Sequence, residues 1–332
     1  MKKTFHVFLL MLLLCIATAV FAQETESKDT PYLFFIPAGY NFTRLEDQII
    51  HYPRAGVGFM IGEDNIPFNE VNQRFMGIAQ YQTYIFNKPL AEDFPELFHE
   101  AGAFFDGRIN RHQLLFFFKS ISDKPVAGGL NTIQLEAGWG YELIRRPQAS
   151  LILGAVIIAG DFSDMLPSGI NTPVLPMPLI RFGVDTQWFT SSFEFISGPY
   201  IDFAVAPKER FHFTVGAHMD QFRSIDDLVY ELTLWYRPFG SSNPLGDMAR
   251  IGAGVKSDLL EFDLARYINQ VKTLGLVQRS IFAAIDITFL SIQGGWVFNS
   301  RYLTGNERTG SPGRRFFISI QGMIPIKQRG ML

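Results

Sequence analysis

The clearest pattern in the chain lies between residues 132 and 161. From Ile133 to Leu143 every second residue is apolar: Ile133, Leu135, Ala137, Trp139, Tyr141 and Leu143. Gln134, Glu136, Gly138, Gly140 and Glu142 stand between them. A strand turns successive side chains to opposite faces, so this segment has one apolar face and one small, polar face. Arg145, Arg146, Pro147 and Gln148 follow as a turn, because proline cannot continue a ladder. Residues 149–160 return as an almost unbroken apolar run. Each arm is about 10 to 12 residues, the length a tilted strand needs to cross the hydrocarbon of a bilayer.

The same alternation recurs along the chain. It predicts strands over 32–40, 55–61, 74–86, 101–105, 113–121, 188–196, 200–205, 211–218, 228–237, 250–256, 259–266, 281–289, 294–299 and 315–326. In 74–86 the alternation reads Phe75, Gly77, Ala79, Tyr81, Thr83, Ile85. In 211–218 Phe211, Phe213, Val215 and Ala217 oppose His212, Thr214, Gly216 and His218. In 259–266 Leu260, Phe262 and Leu264 oppose Glu261, Asp263 and Ala265, and a helix over 258–274 is the alternative there. Prolines and acids make 87–100 a loop, with a short helix through Phe94, Leu97 and Phe98 as its alternative. Residues 161–178, with Pro167, Pro173, Pro176 and Pro178, form the longest stretch without structure, and 301–313 a polar, glycine-rich loop.

Alternation alone fits either a soluble sandwich or a membrane barrel, since both oppose an apolar to a polar face. Composition and the N-terminus separate them. Lys2 and Lys3 precede an apolar core, and Val20, Phe21 and Ala22 suit a signal peptidase, so residues 1–22 are expected to be a cleaved signal peptide. Cys15, the single cysteine, leaves with it. The exported chain then has no disulfide and holds together by hydrogen bonds and packing. Removing the signal takes out two lysines and no acid, leaving 27 bases against 32 acids. That mild balance, without a basic block, argues against nucleic acid as a partner. Hydrophobic residues make up 47% of the chain, yet no apolar run after residue 22 reaches the roughly 18 residues of a membrane helix. The apolar residues must therefore be spread over many short strands. Strand lengths near 10, a tight turn at 145–148 opposite the long stretch at 161–178, and Tyr or Trp at strand ends (Tyr40, Tyr81, Tyr141, Trp188, Tyr230, Tyr236, Tyr302) favour the membrane. The expected fold is all-β: an antiparallel up-and-down transmembrane barrel of about 12 strands, within about 10 to 14. It spans 32–326, after a flexible lead-in at 23–31 and before a tail at 327–332.

With the signal through Ala22, the Trp139-Gly140-Tyr141 strand and the region from Pro176 to Tyr200, the chain resembles bacterial outer-membrane β-barrel proteins. The resemblance implies an outer-membrane location, outer-membrane lipid around the barrel and insertion by the barrel assembly machinery. Such barrels usually end on an aromatic residue; here Phe316 and Phe317 open the last strand and the chain runs on to Leu332.

Candidate chemistry is sparse. His212 and His218 share a face, but lie about 20 Å apart along a strand, too far to hold one metal. Ser191 or Ser192 with His212 and Glu194 supplies the residue types of a hydrolase, with no motif around them. No catalytic residue, metal or cofactor is expected. The informative set is the face expected to line the lumen: Glu136, Glu142, Asp202, His212, His218, Glu231, Arg237, Arg250, Lys256, Glu261, Asp263 and Asp286. Interlocked charges would plug the barrel; charges on opposite walls would create a field that selects solutes. The first expectation is a channel or transporter-like pore for small solutes. A structural or surface-interaction barrel with a plugged lumen and a carrier of hydrophobic ligands are the alternatives.

Overall fold

The computed structural model describes residues 32–62, 73–90, 94–124, 132–160, 174–196, 198–219, 228–239, 249–268, 271–304 and 307–329. The expected signal peptide and lead-in lie outside the described residues. The chain first lays down β1 (Tyr32–Arg44), β2 (Ile49–Ile61), β3 (Gln73–Phe86), β4 (Leu97–Ile109) and β5 (His112–Ser122). Then come β6 (Thr132–Arg146), β7 (Ala149–Ala159), β8 (Val174–Asp185), β9 (Phe189–Phe195), β10 (Pro199–Val205) and β11 (Phe211–His218). Last are β12 (Val229–Tyr236), β13 (Ala249–Ile268), β14 (Val271–Ile287), β15 (Leu290–Thr304), β16 (Glu307–Thr309) and β17 (Arg315–Arg329).

Each strand pairs antiparallel with the one before it, and β17 pairs with both β15 and β1. The ring is therefore closed. The three-residue β16 only extends the far end of β15, so the barrel has 16 strands. Tyr32 faces Arg329, which puts both ends of the described chain at one rim. Tight turns at 110–111, 147–148, 186–188, 206–210 and 288–289 share that rim, alongside longer connections at 62–72 and 237–248. Asn110, Ala206 and Thr288 in these turns have φ of 55°, 50° and 49°. Asparagine tolerates that left-handed region; β-branched Thr288 is strained there.

The expectation of about 12 strands is overturned. Residues 161–178 were expected to be loop, yet β8 begins at Val174 and carries Pro176 and Pro178. Both prolines pair with β7, opposite Ile157 and Ala155, while β9 has already ended at Phe195 opposite Ile180. Proline lacks an N–H, and a strand with one free edge can accept it. The short strands β9 to β12, of seven or eight residues, were each expected at 188–196, 200–205, 211–218 and 228–237. Segments 250–256 and 259–266 are one strand, and the helix alternative for 258–274 gives way to a ladder from Asp258–Gln278 to Asp263–Thr273. Residues 97–100, expected as loop, open β4.

The outer face is apolar. Trp139 is 49% exposed, Ile157 55% and Ile281 51%, with no protein over them. Such a surface is unsuited to water and suited to acyl chains. Ile152, Val156, Leu179 and Trp235 are buried on the inner face instead. On β6 to β8 the wall bends sharply: Leu179 of β8 reaches over Gly140 of β6, where a Cβ would come within 2.9 Å of it. Gly154 lies closer still to its neighbour, its virtual Cβ 2.0 Å from the Trp139 carbonyl oxygen. Gly154→Ala should therefore cost about 1–3 kcal/mol in urea unfolding from vesicles, as overpacking does. Gly102→Ala, whose Cβ meets nothing nearer than 3.6 Å, should unfold as the parent does.

Candidate functional site: the barrel interior

Register fixes which residues face inward. On β6 the inner set is Gln134, Glu136, Gly138, Gly140 and Glu142, because Trp139 and Leu143 are exposed outside. Glu136 accepts a hydrogen bond from Gln134 Nε2 at 2.7 Å, and Glu142 is paired with Arg145 at 2.7 Å. Asp202 on β10 faces Gly216 and Ser192. His218 stands beside Tyr200, ring centroids 6.0 Å apart. Glu231 lies opposite Lys256 and accepts from Thr233 Oγ1 at 3.0 Å. Arg237 follows β12 directly, its backbone N–H bonded to the Arg210 carbonyl.

Near the rim that holds the chain ends, β11 to β14 build a second group. Arg250 meets Asp286 Oδ2 through Nε and Nη2, each at 2.7 Å. Its guanidinium also lies 4.1 Å from the centre of the Trp235 ring. Trp235 covers Gly252, donates from Nε1 to Thr214 Oγ1 at 3.1 Å, and stacks with His212. Lys256 pairs with Asp258 at 3.1 Å and sits 4.3 Å above the Phe317 ring. Glycine is required here: a Cβ on Gly252 would strike the indole.

Two expected lumen residues depart from the rest. The β13–β14 ladder runs without a bulge from Ala249 to Asp263, so the face of Arg250 and Lys256 continues through Leu260 and Phe262. Strand parity puts Glu261 and Asp263 on the opposite face; their side chains lie outside the described ones. The residue types of a hydrolase are not gathered either. Ser191 falls on the outer face and Ser192 on the inner one. Glu194 is held by Arg181, and His212 packs on Trp235.

The sequence reading missed the strongest ion-pair chain. Asp106 of β4 has a side chain only 4% exposed. It accepts from Gln113 Nε2 at 2.8 and 2.9 Å and from Arg181 Nη1 at 3.0 Å, with Arg74 Nη2 3.8 Å away. Arg181 Nε lies 2.5 Å from Glu194 Oε2. Arg181 thus ties β8 and β9 to β4, four strands back along the ring. The expected strand stopped at Phe105, one residue short of Asp106, and β8 was not recognised, so neither end of this link was in view. Glu194 was legible, since it alternates with Phe193 and Phe195.

Among the described residues, an apolar cluster reaches across the far end of the interior. Phe262 is fully buried and lies 4.9 Å from Tyr84, 5.7 Å from Phe86, 5.9 Å from Phe94 and 4.9 Å from Phe98. Those four belong to β3, β4 and the segment between them, on the far side of the ring from β13. Leu45, Ile50, Ile121, Leu274 and Leu276 join it, and the same cluster runs on through Phe282, Ala284, Val297 and Phe317 to Trp235. β13 also meets β6. The upper part of the β13–β14 hairpin therefore leans across the interior instead of standing in the wall. Tyr84 adds a polar anchor, donating to Glu100 Oε2 at 3.0 Å.

A closed antiparallel ring, apolar outside and ion-paired inside, is a porin-like transmembrane β-barrel of the outer-membrane type. Its strands pair side by side around the whole ring, as hydrocarbon demands of the spanning backbone. No protein-family model matches the chain and no curated protein is similar to it. Among solved structures it is similar to a BenF-like porin from Pseudomonas fluorescens Pf-5, at 10% identity, covering 90% of this chain and 99% of that one, with a TM-score of 0.39. OccK7 (OpdD) of Pseudomonas aeruginosa gives 8%, 90%, 100% and 0.32, and OccAB3 of Acinetobacter baumannii 8%, 90%, 100% and 0.30. Identities and scores this low carry nothing from those proteins to this one; the barrel stands on its own strand pairing.

Removing one partner of a buried ion pair leaves the other charge uncompensated, at about 3–5 kcal/mol. Arg181→Ala should lower the urea stability of the folded barrel by that order. Adding Asp106→Asn to it should recover part of the loss, because the carboxylate left unpaired is then gone.

Proposed function

We propose that the protein is an outer-membrane channel for small polar solutes, with its outer mouth held shut by the β13–β14 hairpin. The observation that carries this reading is the inner face. Asp106, Arg181, Glu194, Asp202, Glu231, Arg250, Lys256 and Asp286 all point into the ring, although the outer face of β9 to β12 carries no charge. A barrel that only had to be stable would be better filled with hydrocarbon, since buried ion pairs rarely improve on well-packed apolar side chains. Sixteen strands also enclose more than side chains alone fill. Short turns at one rim put that rim, with both chain ends, in the periplasm and the Phe262 mouth outside.

The second reading is a carrier of hydrophobic ligands. It is favoured by a stretch of inner wall where Leu115, Val156, Ile158 and Leu179 are buried against one another. A ligand there would have to displace packed side chains.

Purified, refolded protein in a planar bilayer should give stepwise current of small unit size. Phe262→Ala should raise the unit conductance or the open fraction severalfold, because it empties the seat that holds the hairpin. Absence of current from both proteins, each showing a heat-modifiable gel shift, would remove the channel reading. Co-purification of a fatty acid with the parent protein, lost in Leu179→Asp, without current, would select the carrier.

A further inference from the structure

β8 pairs with β7 from Val174 to Val184, but with β9 only from Ile180 to Asp185. The turn at 196–198 then carries the chain into β10, where Pro199 pairs back with Phe195. At about 3.3 Å per residue and a tilt near 40°, the seven residues of β9 stand about 18 Å tall. The apolar band of such a barrel is about 25 Å high. The top of β9 therefore lies within the hydrocarbon. Among the described residues no strand flanks β8 on that side from Leu175 to Leu179.

Two prolines finish this edge. The Asp185 N–H bonds the Gln148 carbonyl at the foot of β7. Neither ladder of β8 has a bulge, so its odd-numbered residues turn their N–H to β7 and its even-numbered residues to the other side. Pro176 and Pro178 occupy even positions, where a donor would point at the missing neighbour. An edge stripped of those donors is a poor template for another strand, so the opening is kept open.

The wall beside the opening is apolar on its inner side. Leu179 is fully buried in a cluster with Leu115, while Leu175, Met177 and Ile196 pack against it only partly buried. With strand period the inner face of β8 runs on into Arg181, about 20 Å from Leu175. In that corner Arg74 stands directly opposite Arg108 on β4, and like charges so placed repel. The Arg108 Nε is buried without a hydrogen-bond partner among the described residues. Asp106 and Glu194 are the carboxylates paired there, against the three guanidiniums.

We propose that this opening is a side door between the barrel interior and the lipid, and that a fatty acid lies across it. Its carboxylate sits at Arg108 and Arg181, and its alkyl chain follows Leu179, Met177 and Leu175 toward the bilayer. A neutral lipid would leave the surplus positive charge unmet, and a small anion would leave the apolar strip empty. The proposal rests on the carrier reading above and needs no current.

The test asks from which side the strip is reached. Full-length Cys15→Ser protein, given one new cysteine, is placed in dioleoylphosphatidylcholine vesicles that contain N-hexadecylmaleimide, with an unheated gel reporting that the barrel is folded. Met177→Cys should react about as fast as Ile157→Cys on the lipid face. Both should react many times faster than Gln321→Cys, on the inner face of β17 where β1 and β15 flank it. Palmitate should slow Met177→Cys severalfold and leave Ile157→Cys unchanged, and Arg108→Gln should abolish that protection. Where Met177→Cys does not fold, Leu175→Cys is read in its place. Met177→Cys as slow as Gln321→Cys would overturn the door, and both reacting fast would overturn it too, since the reagent then enters by a mouth. Fast labelling that palmitate does not slow would overturn the fatty acid, and protection that survives Arg108→Gln would overturn the place of its carboxylate. A fatty acid that co-purifies with the parent while Met177→Cys stays slow would spare the carrier and sink only the side door.

Discussion

Everything in this structure depends on the backbone having no water to bond with. An N–H or C=O left open in hydrocarbon costs several kcal/mol, so a sheet in a membrane must close on itself. The pairing of β17 with β1, thirteen register partners from Tyr32–Arg329 to Arg44–Phe316, is what closes it. Once the ring is closed, the pleat alone sorts side chains into two environments, and each strand needs only the right parity. Trp139 and Ile281 then face lipid because their neighbours in sequence must face inward.

The interior is where the ring departs from a plain tube. Two kinds of filling coexist there. Ion pairs such as Arg250–Asp286 and Asp106–Arg181 lie along the inner wall, and a dry aromatic cluster around Phe262 reaches across one end. The first keeps a polar surface inside the barrel at a cost in stability that hydrocarbon would not incur. The second shows that the hydrophobic effect acts inside the ring as well as outside it.

How much of this the sequence shows follows from that division. The hairpin of β6 and β7 was legible because alternation at Ile133–Leu143 translates directly into two faces. So were the lumen positions of Arg250, Lys256 and Asp286, which share strands with clear outer faces. β8 was not, because Pro176 and Pro178 are breaker signals everywhere except on a strand with a free edge. Phe262 was placed on the lipid side for a related reason. A hydrophobic pattern marks which side chains avoid water, and says nothing of whether the dry place is the bilayer or the barrel's own interior. Asp106 was lost to a boundary error of one residue, which in a strand is enough to hide an entire network.

The seat of Phe262 has a consequence for traffic through the barrel. Burying one phenylalanine ring among four others is worth about 2–3 kcal/mol. A preference of that size leaves the displaced form at a population on the order of 1%. In the channel proposed above, flow would be set by how often an aromatic plug swings out of its socket, and the bore beneath it would set only what can follow.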